Sequence, residues 1–474
     1  MYSKDQRTRF NLWTPSFPLL ESRFFSSISS SPSLPLTLYR LFRLSYLVAT
    51  TPLHLSLLVL SLPPLSFKFP SIFDPSWSSV TQKLVYPFLR RIIWALADVG
   101  DPNVLTRSTQ EGDTPTWAWI LEEFTVRFGG GERVVVKKEK GVTLPREVWE
   151  RGWASELTGD EQVEFEPVNL FWFERVTEGR KGENEDWFRV RDDGKERIVM
   201  YLFGGGFVCG SPGEGGRCYK IARETGLRCV GVNYRRTVSR RGAFPAALQD
   251  ALSCYFHLTL ELGFKDVILA GDSAGAGLAL NLLQYLTGSI YASLSSEEQA
   301  QSVLPSAALL ISPWCDLTLE SFPEDNRTDI ILPSICSNSV KAYLEGFTSP
   351  SSSLNRNTQF NKYKDPARHP WFSPSLASSL PSLQLISKAY SSPSPPSSPS
   401  RPPLRILVTL GTSELFYPSL LSLVKNLKQV EEGGKVEVES VEGEGETHAF
   451  PLTPEWVSPG AVKAWERLRV WFEE

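Results

Sequence analysis

Residues 271–275 read Gly-Asp-Ser-Ala-Gly, which sets Ser273 between glycines two positions away on either side. A serine hydroxyl becomes a useful nucleophile only when a base takes its proton and a third group orients that base. The neighbouring residues suit that role. The apolar run Val267–Ala270 precedes the motif and the apolar stretch AGLALNLLQYL follows it, as expected of a strand, a sharp turn and a helix. Such a turn lifts the central side chain above the edge of a sheet. The flanking glycines are required because Cβ atoms there would collide with neighbouring elements. The helix N-terminus behind Ser273 adds a dipole that favours developing negative charge.

Acyl transfer at a serine also needs two or three N–H donors aimed at one oxyanion. Gly204-Gly205-Gly206, directly after the apolar run IVMYL and before Phe207, is the stretch that can supply them. Gly204 and Gly205 are the expected donors, joined by the N–H of Ala274 just after the nucleophile. For a nucleophile on a strand–turn–helix, the acid and then the histidine follow the serine along the chain. The sequence has four histidines. His257 precedes Ser273 in a helical stretch, His54 lies in an apolar segment near the start, and His369 sits in the irregular aromatic run ARHPWF. His448, in GEGETHAF after the run Val436–Val441, is the expected base. The expected acid is Glu414, in Gly411-Thr412-Ser413-Glu414-Leu415 after the run Arg405–Leu410. Glu442, Glu444 and Glu446 lie closer to His448 in sequence, and any of them could take its place.

The elements needed to hold these residues are also visible. Apolar, β-rich runs occur at Ile198–Leu202, Val230–Asn233, Val267–Ala270, Ala307–Ile311, Arg405–Leu410 and Val436–Val441. Helix-capable stretches alternate with them at Ala246–Leu262, Ala274–Leu286 and Ser419–Lys428, and Ala461–Phe472 closes the chain. Strands apolar on both faces and separated by helices predict an α/β domain with a mostly parallel central sheet covered on both sides. Ser/Pro-rich insertions at Ser349–Thr358 and Ser391–Pro403, and a milder one near Ser289–Ser302, read as surface loops. The expected organisation is an N-terminal extension over 1–66, a cap with the first strands over 67–195 and the catalytic domain over 196–474. In the middle part, Gly129–Gly131 lacks any phosphate-loop register and reads as a turn before a strand at Val134–Val136.

Within the extension, Leu44–Leu62 contains no Asp, Glu, Lys or Arg. Its length is near the ~20 residues that cross a bilayer. The segment lies too far from Met1 for an ordinary cleaved signal peptide. It is expected to be a single-pass anchor, with Arg40 and Arg43 favouring a cytoplasmic N-terminus, the alternative being an apolar helix of the cap buried against the catalytic domain. A net charge of −4 over 474 residues offers no basic excess for a phosphate backbone, so nucleic acid is not an expected partner. The six cysteines form no C-x-x-C pair and none has a histidine at ligand spacing, so they read as buried thiols and no metal is expected.

From about Glu196 onward the chain resembles the hormone-sensitive-lipase-like branch of the α/β-hydrolases. The resemblance is carried by GDSAG, by NYRRTVSRRGAFPAALQD with Asp250 in its acidic place, by ISPWCDLTLES and HPWFSPSL, and by GTSELF and THAF. Two positions depart from that pattern. Phe203 stands where the family's oxyanion motif begins with histidine, and Glu414 stands where aspartate is usual. The long N-terminal extension is similar in arrangement to the membrane-anchored arylacetamide deacetylases and the fungal steryl acetyl hydrolases. The resemblance implies a serine carboxylesterase that needs no cofactor and cleaves small hydrophobic esters. It also implies a location at a membrane, that of the endoplasmic reticulum. Two alternatives stay open: a catalytically inactive receptor on the same fold, or a hydrolase of aryl amides or formamides.

Overall fold

The computed structural model describes residues 45–53, 55–56, 59, 80–97, 132–157, 163–176, 187–191, 195–237, 240–293, 304–323, 326, 328–348, 363–391, 402–431 and 435–474. The Gly129–Gly131 turn and most of the Ser/Pro-rich insertions lie outside the described residues, as does the greater part of the N-terminal extension.

In chain order the principal elements are α1 (Val80–Ala97), β1 (Val134–Val142), β2 (Val168–Arg175), β3 (Arg197–Leu202), α2 (Arg217–Thr225) and β4 (Arg228–Val232). There follow α3 (Ala246–Phe256), β5 (Asp266–Asp272), α4 (Ala274–Tyr285), β6 (Ala307–Ile311), α5 (Pro333–Tyr343) and α6 (Leu380–Ser391). The chain closes with β7 (Leu404–Gly411), α7 (Tyr417–Glu431), β8 (Val436–Gly443) and α8 (Pro459–Glu473). The strands form one eight-stranded sheet in the order β1-β2-β4-β3-β5-β6-β7-β8. Six strands from β4 to β8 run parallel, and β2 and β1 add antiparallel pairs at one edge.

Burial explains this topology. Every residue of β4 and β6 is buried, and all but the first of β3 and β5, so both sheet faces must be covered by helices. β1 carries Lys137, Lys138, Glu139 and Lys140 and is largely half-exposed, which suits the edge of a sheet. Because β5 to β8 are adjacent and parallel, their C-terminal ends lie along one rim. The loops after β5, β7 and β8 are the ones that carry Ser273, Glu414 and His448.

Of the expected anchor, residues 45–53, 55, 56 and 59 are helical. Tyr46 and Leu47 pack with Leu332, Ile93 and Ile335, while Val48 is 72% and Val59 52% exposed. Among the described residues no helix is long and apolar enough to cross a membrane.

Candidate active site

The turn after β5 forces Ser273 into a backbone conformation, φ 54° and ψ −123°, that non-glycine residues rarely adopt. Three hydrogen bonds hold it there. The Ser273 N–H donates to Ile311 O at 2.9 Å, and Ser273 O accepts from Trp314 N at 2.9 Å and Gly277 N at 3.0 Å. The two flanking glycines are steric requirements. A Cβ on Gly271 would lie 2.6 Å from Leu202 O, and one on Gly275 would lie 2.0 Å from the same atom. Ser273 is 8% exposed at the start of α4.

His448 and Glu414 meet across the ends of β7 and β8. His448 Nδ1 is 3.0 Å from Glu414 Oε2, and both side chains are buried. The other carboxylate oxygen accepts from Ser312 Oγ and from Gly411 N, each at 2.6 Å. Glu414 is thereby held at one oxygen, with the other left for the imidazole. His448 Nε2 is buried and has no hydrogen-bond partner among the described residues. Burial pushes the Glu414 carboxyl above its ordinary range, against the pull of His448. For His448, burial favours the neutral ring, but the hydrogen bond and charge of Glu414, with Asp329 and Asp272 behind them, raise its pKa above the ordinary value.

The glycine loop shows one expected residue in a different role. The N–H of Gly204 donates to Asp272 Oδ1 at 2.9 Å, so it is already satisfied and cannot serve as an oxyanion donor. The reason is the buried Asp272, which also accepts from Tyr201 Oη at 2.8 Å and pairs with Arg217 Nε at 3.2 Å. This one carboxylate ties the Ser273 turn to the glycine loop. Gly205 O is taken by the N–H groups of Val208 and Cys209. In a planar trans peptide this directs the Gly206 N–H the opposite way. Among the described residues, the N–H groups of Gly205, Gly206 and Ala274 have no acceptor. The loop depends on glycine here: Gly205 has φ +128°, and a Cβ on it would lie 2.1 Å from Cys209 O.

Phe203 anchors the start of this loop through its ring. It stacks on Tyr234 with centroids 4.1 Å apart and planes 8° from parallel, and the Tyr234 hydroxyl donates to Phe203 O.

The other candidates of the sequence fall elsewhere. Glu446 is buried on Gln82, Tyr86 and Gly460, while Glu442 and Glu444 are exposed. His257 lies between Glu139 and Glu261, and His369 accepts from Trp371 N inside an aromatic cluster. His54 lies outside the described residues. Sequence reasoning missed Ser312 and Asp329. The Ser312 hydroxyl donates to Glu414 and accepts from Ala449 N at 3.0 Å. Asp329 accepts from His448 N at 2.9 Å and from Leu415 N at 2.7 Å, so one carboxylate spans both loops. Ser312 falls in the ISPW motif and could have been noticed. Asp329 lies in no local pattern.

Comparison with known proteins agrees with this architecture. Over 146 residues the chain is 38% identical to an acetyl-hydrolase of Streptomyces hygroscopicus, covering 30% of this chain and 44% of that protein. It is 36% identical over 87 residues to the versiconal hemiacetal acetate esterase of Aspergillus parasiticus, covering 18% and 27%. An esterase of Acinetobacter venetianus is 30% identical over 141 residues, covering 29% and 42%. Each match spans less than half the length of the relative. The family model described as alpha/beta hydrolase fold matches residues 199–452, from β3 through the histidine loop. That match covers more than half of the chain, and the chain belongs to the α/β-hydrolase fold family.

Proposed function

We propose that the protein is a serine ester hydrolase in which Ser273 is the nucleophile, His448 the general base and acid, and Glu414 the orienting carboxylate. The observation that carries this reading is the His448–Glu414 pair. Its Nδ1 side is committed to a fixed carboxylate and its Nε2 is left without a partner, on the same sheet rim as the strained Ser273. A neutral imidazole held with hydrogen on Nδ1 presents a lone pair at Nε2, as proton removal from a serine requires.

Ser273 Oγ attacks the ester carbonyl as His448 Nε2 takes its proton. The carbonyl oxygen becomes an oxyanion facing the N–H groups of Gly205, Gly206 and Ala274, with the N-terminal end of α4 behind them. On collapse, His448 returns the proton to the leaving alcohol and an acyl-serine remains. Water then gives a proton to His448, its oxygen attacks the acyl carbon, and the acid leaves as Ser273 is reprotonated. The relatives include an acetyl-hydrolase and an acetate esterase, which supports a short acyl group. Aromatic side chains support a hydrophobic alcohol. Phe207, next after the glycines, stacks on Tyr343 with centroids 3.8 Å apart. Trp314 lies against Phe416, and Phe416 meets the His448 ring edge-on at 4.9 Å.

The test is a panel of acetate, butyrate and longer-chain aryl esters with a matched acetanilide. Turnover of short esters by the wild type, lost in His448→Ala, is the expected result. Saturable binding without turnover would favour a receptor, and faster anilide cleavage would favour an amidase. We further propose membrane association through residues 44–62, on their lack of charge and the exposure of Val48, Leu53 and Val59. Retention in membranes after alkaline carbonate washing is expected. Quantitative release would reject a spanning anchor.

A further inference from the structure

A set of buried polar side chains behind His448 has no part in the reaction just described. The histidine loop is held at three points. His448 N–H donates to Asp329 and Ala449 N–H to Ser312. The third is Glu446, 1% exposed, whose carboxylate accepts from Tyr86 Oη at 2.6 Å, Gly460 N at 2.8 Å and Gln82 Nε2 at 3.1 Å. The Asp329 segment is held from the same direction. The Arg90 guanidinium donates to Asp329 O, to Asn326 O at 3.0 Å and to Ile331 O at 3.3 Å. Gln82, Tyr86 and Arg90 follow one another at four-residue spacing on α1, so they share one helix face, and all three are buried.

We propose that α1 is a positioning clamp for the catalytic acid–base pair. Gln82 and Tyr86 act on the histidine loop through Glu446, and Arg90 acts on the Glu414 and His448 loops through Asp329. The inference rests on the assignment of Ser273, His448 and Glu414. None of the three clamp residues touches a reacting atom.

The loop depends on such external support. It turns through Gly445 at φ +68° and Ala449 at φ +55°, and between the end of β8 at Gly443 and a single 3-10 turn at Phe450–Leu452 the stretch that carries His448 has no helix or strand of its own. A catalytic group must stay within about 0.5 Å and 10–20° of its working geometry. A displacement of ~1 Å far from the chemistry can cost ~10²-fold in rate. Without its donors, the buried Glu446 carboxylate would have to move toward water, because an unpaired buried charge is costly. The Tyr86 hydroxyl stays protonated at all working pH, since burial and the adjacent Glu446 both raise its pKa. It therefore remains a donor. α1 also reaches back to the N-terminal helical stretch, where Arg91 donates to Thr50 Oγ1 and Leu47 O.

The experiment uses the full-length protein with Tyr86→Phe, Gln82→Met, Arg90→Met and Arg90→Lys. Three quantities are read: the rate of fluorophosphonate labelling at Ser273, kcat and KM on a short aryl ester, and the pH profile of kcat/KM. The labelling rate and kcat should fall ~10-fold or more in Tyr86→Phe and Arg90→Met, with KM within about twofold. Arg90→Lys should recover part of the loss. The acid limb should move to lower pH, because Glu414, Asp329 and Asp272, whose charges raise the His448 pKa, would no longer face the ring in register. Gln82→Met is nearly isosteric and serves if a larger change fails to fold. Folded variants with wild-type kcat and an unmoved acid limb would overturn the clamp. So would a loss of rate accounted for by fewer titratable active sites. No labelling of the wild type would overturn the serine assignment, and the clamp with it.

Discussion

Replacing Glu414 by glutamine keeps shape and volume while changing one hydrogen-bond role. The surroundings of Glu414 determine how the amide must sit. Ser312 Oγ and Gly411 N both donate to Oε1, so the amide oxygen is held at that position and the NH₂ takes the place of Oε2. Oε2 is the atom that faces His448 Nδ1 at 3.0 Å. An NH₂ there makes Nδ1 an acceptor and moves the ring proton to Nε2, the atom that must take the proton from Ser273. A substitution of this kind, with geometry intact and the wrong tautomer, lowers kcat by ~10⁴-fold, about 5.4 kcal/mol at 1.36 kcal/mol per decade. The pH dependence adds an independent sign. His448 works as the neutral ring, so activity is present above its pKa and lost below it. Glu414 is the main group raising that pKa, so in Glu414→Gln the residual activity should have its acid limb at lower pH than the wild type. Steady-state kinetics across pH 5 to 9 on a soluble aryl ester, with melting curves as a folding control, measure both effects. A folded Glu414→Gln enzyme within tenfold of wild type, or with its acid limb shifted upward, would refute the assignment of Glu414.

Other outcomes follow from the same geometry. In the wild type, kcat/KM should decline as pH falls through a value above the ordinary imidazole pKa of 6.5, since the surrounding carboxylates raise it; a limb below 6.5 would contradict the pairing. Gly205→Ala places a Cβ 2.1 Å from Cys209 O at φ +128°, so the loop must shift, and kcat should fall ~10²–10³-fold, as on loss of one oxyanion donor. Wild-type kinetics for that variant would remove the loop from the site. Phe203→Ala takes away a fully buried ring stacked on Tyr234 and should destabilise the fold by about 3–5 kcal/mol in denaturant titrations. A loss below about 1 kcal/mol would mean that the ring does not anchor the loop.

The parts of this site that could be read from the sequence were those fixed by local sterics. The strand, turn and helix around Ser273 carry their signal within a dozen residues, and the collisions at Gly271 and Gly275 give the physical reason for the pattern. His448 and Glu414 stood out because each follows a β-rich run, and those runs became the adjacent strands β8 and β7. In the glycine loop the N–H groups left without an acceptor among the described residues are those of Gly205 and Gly206, one residue on from the expected pair, and the cause is not local. Gly204 is satisfied by Asp272, which lies 68 residues further along the chain. Sequence spacing does not tell which of three consecutive N–H groups a buried carboxylate will take. Asp329, 119 residues before His448, and Tyr86, 360 residues before Glu446, were likewise out of reach of any periodicity. At Phe203, which departs from the resembled pattern, the ring stacks on Tyr234, a contact between residues 31 apart that no local motif announces.

Whether Ser273 is an activated nucleophile is decided by treating the full-length protein with a fluorophosphonate and locating the adduct by mass spectrometry. A stoichiometric adduct on Ser273 is expected, abolished in Ser273→Ala and formed far more slowly in His448→Ala. An unlabelled wild-type protein that is demonstrably folded, or an adduct on another residue, would contradict it.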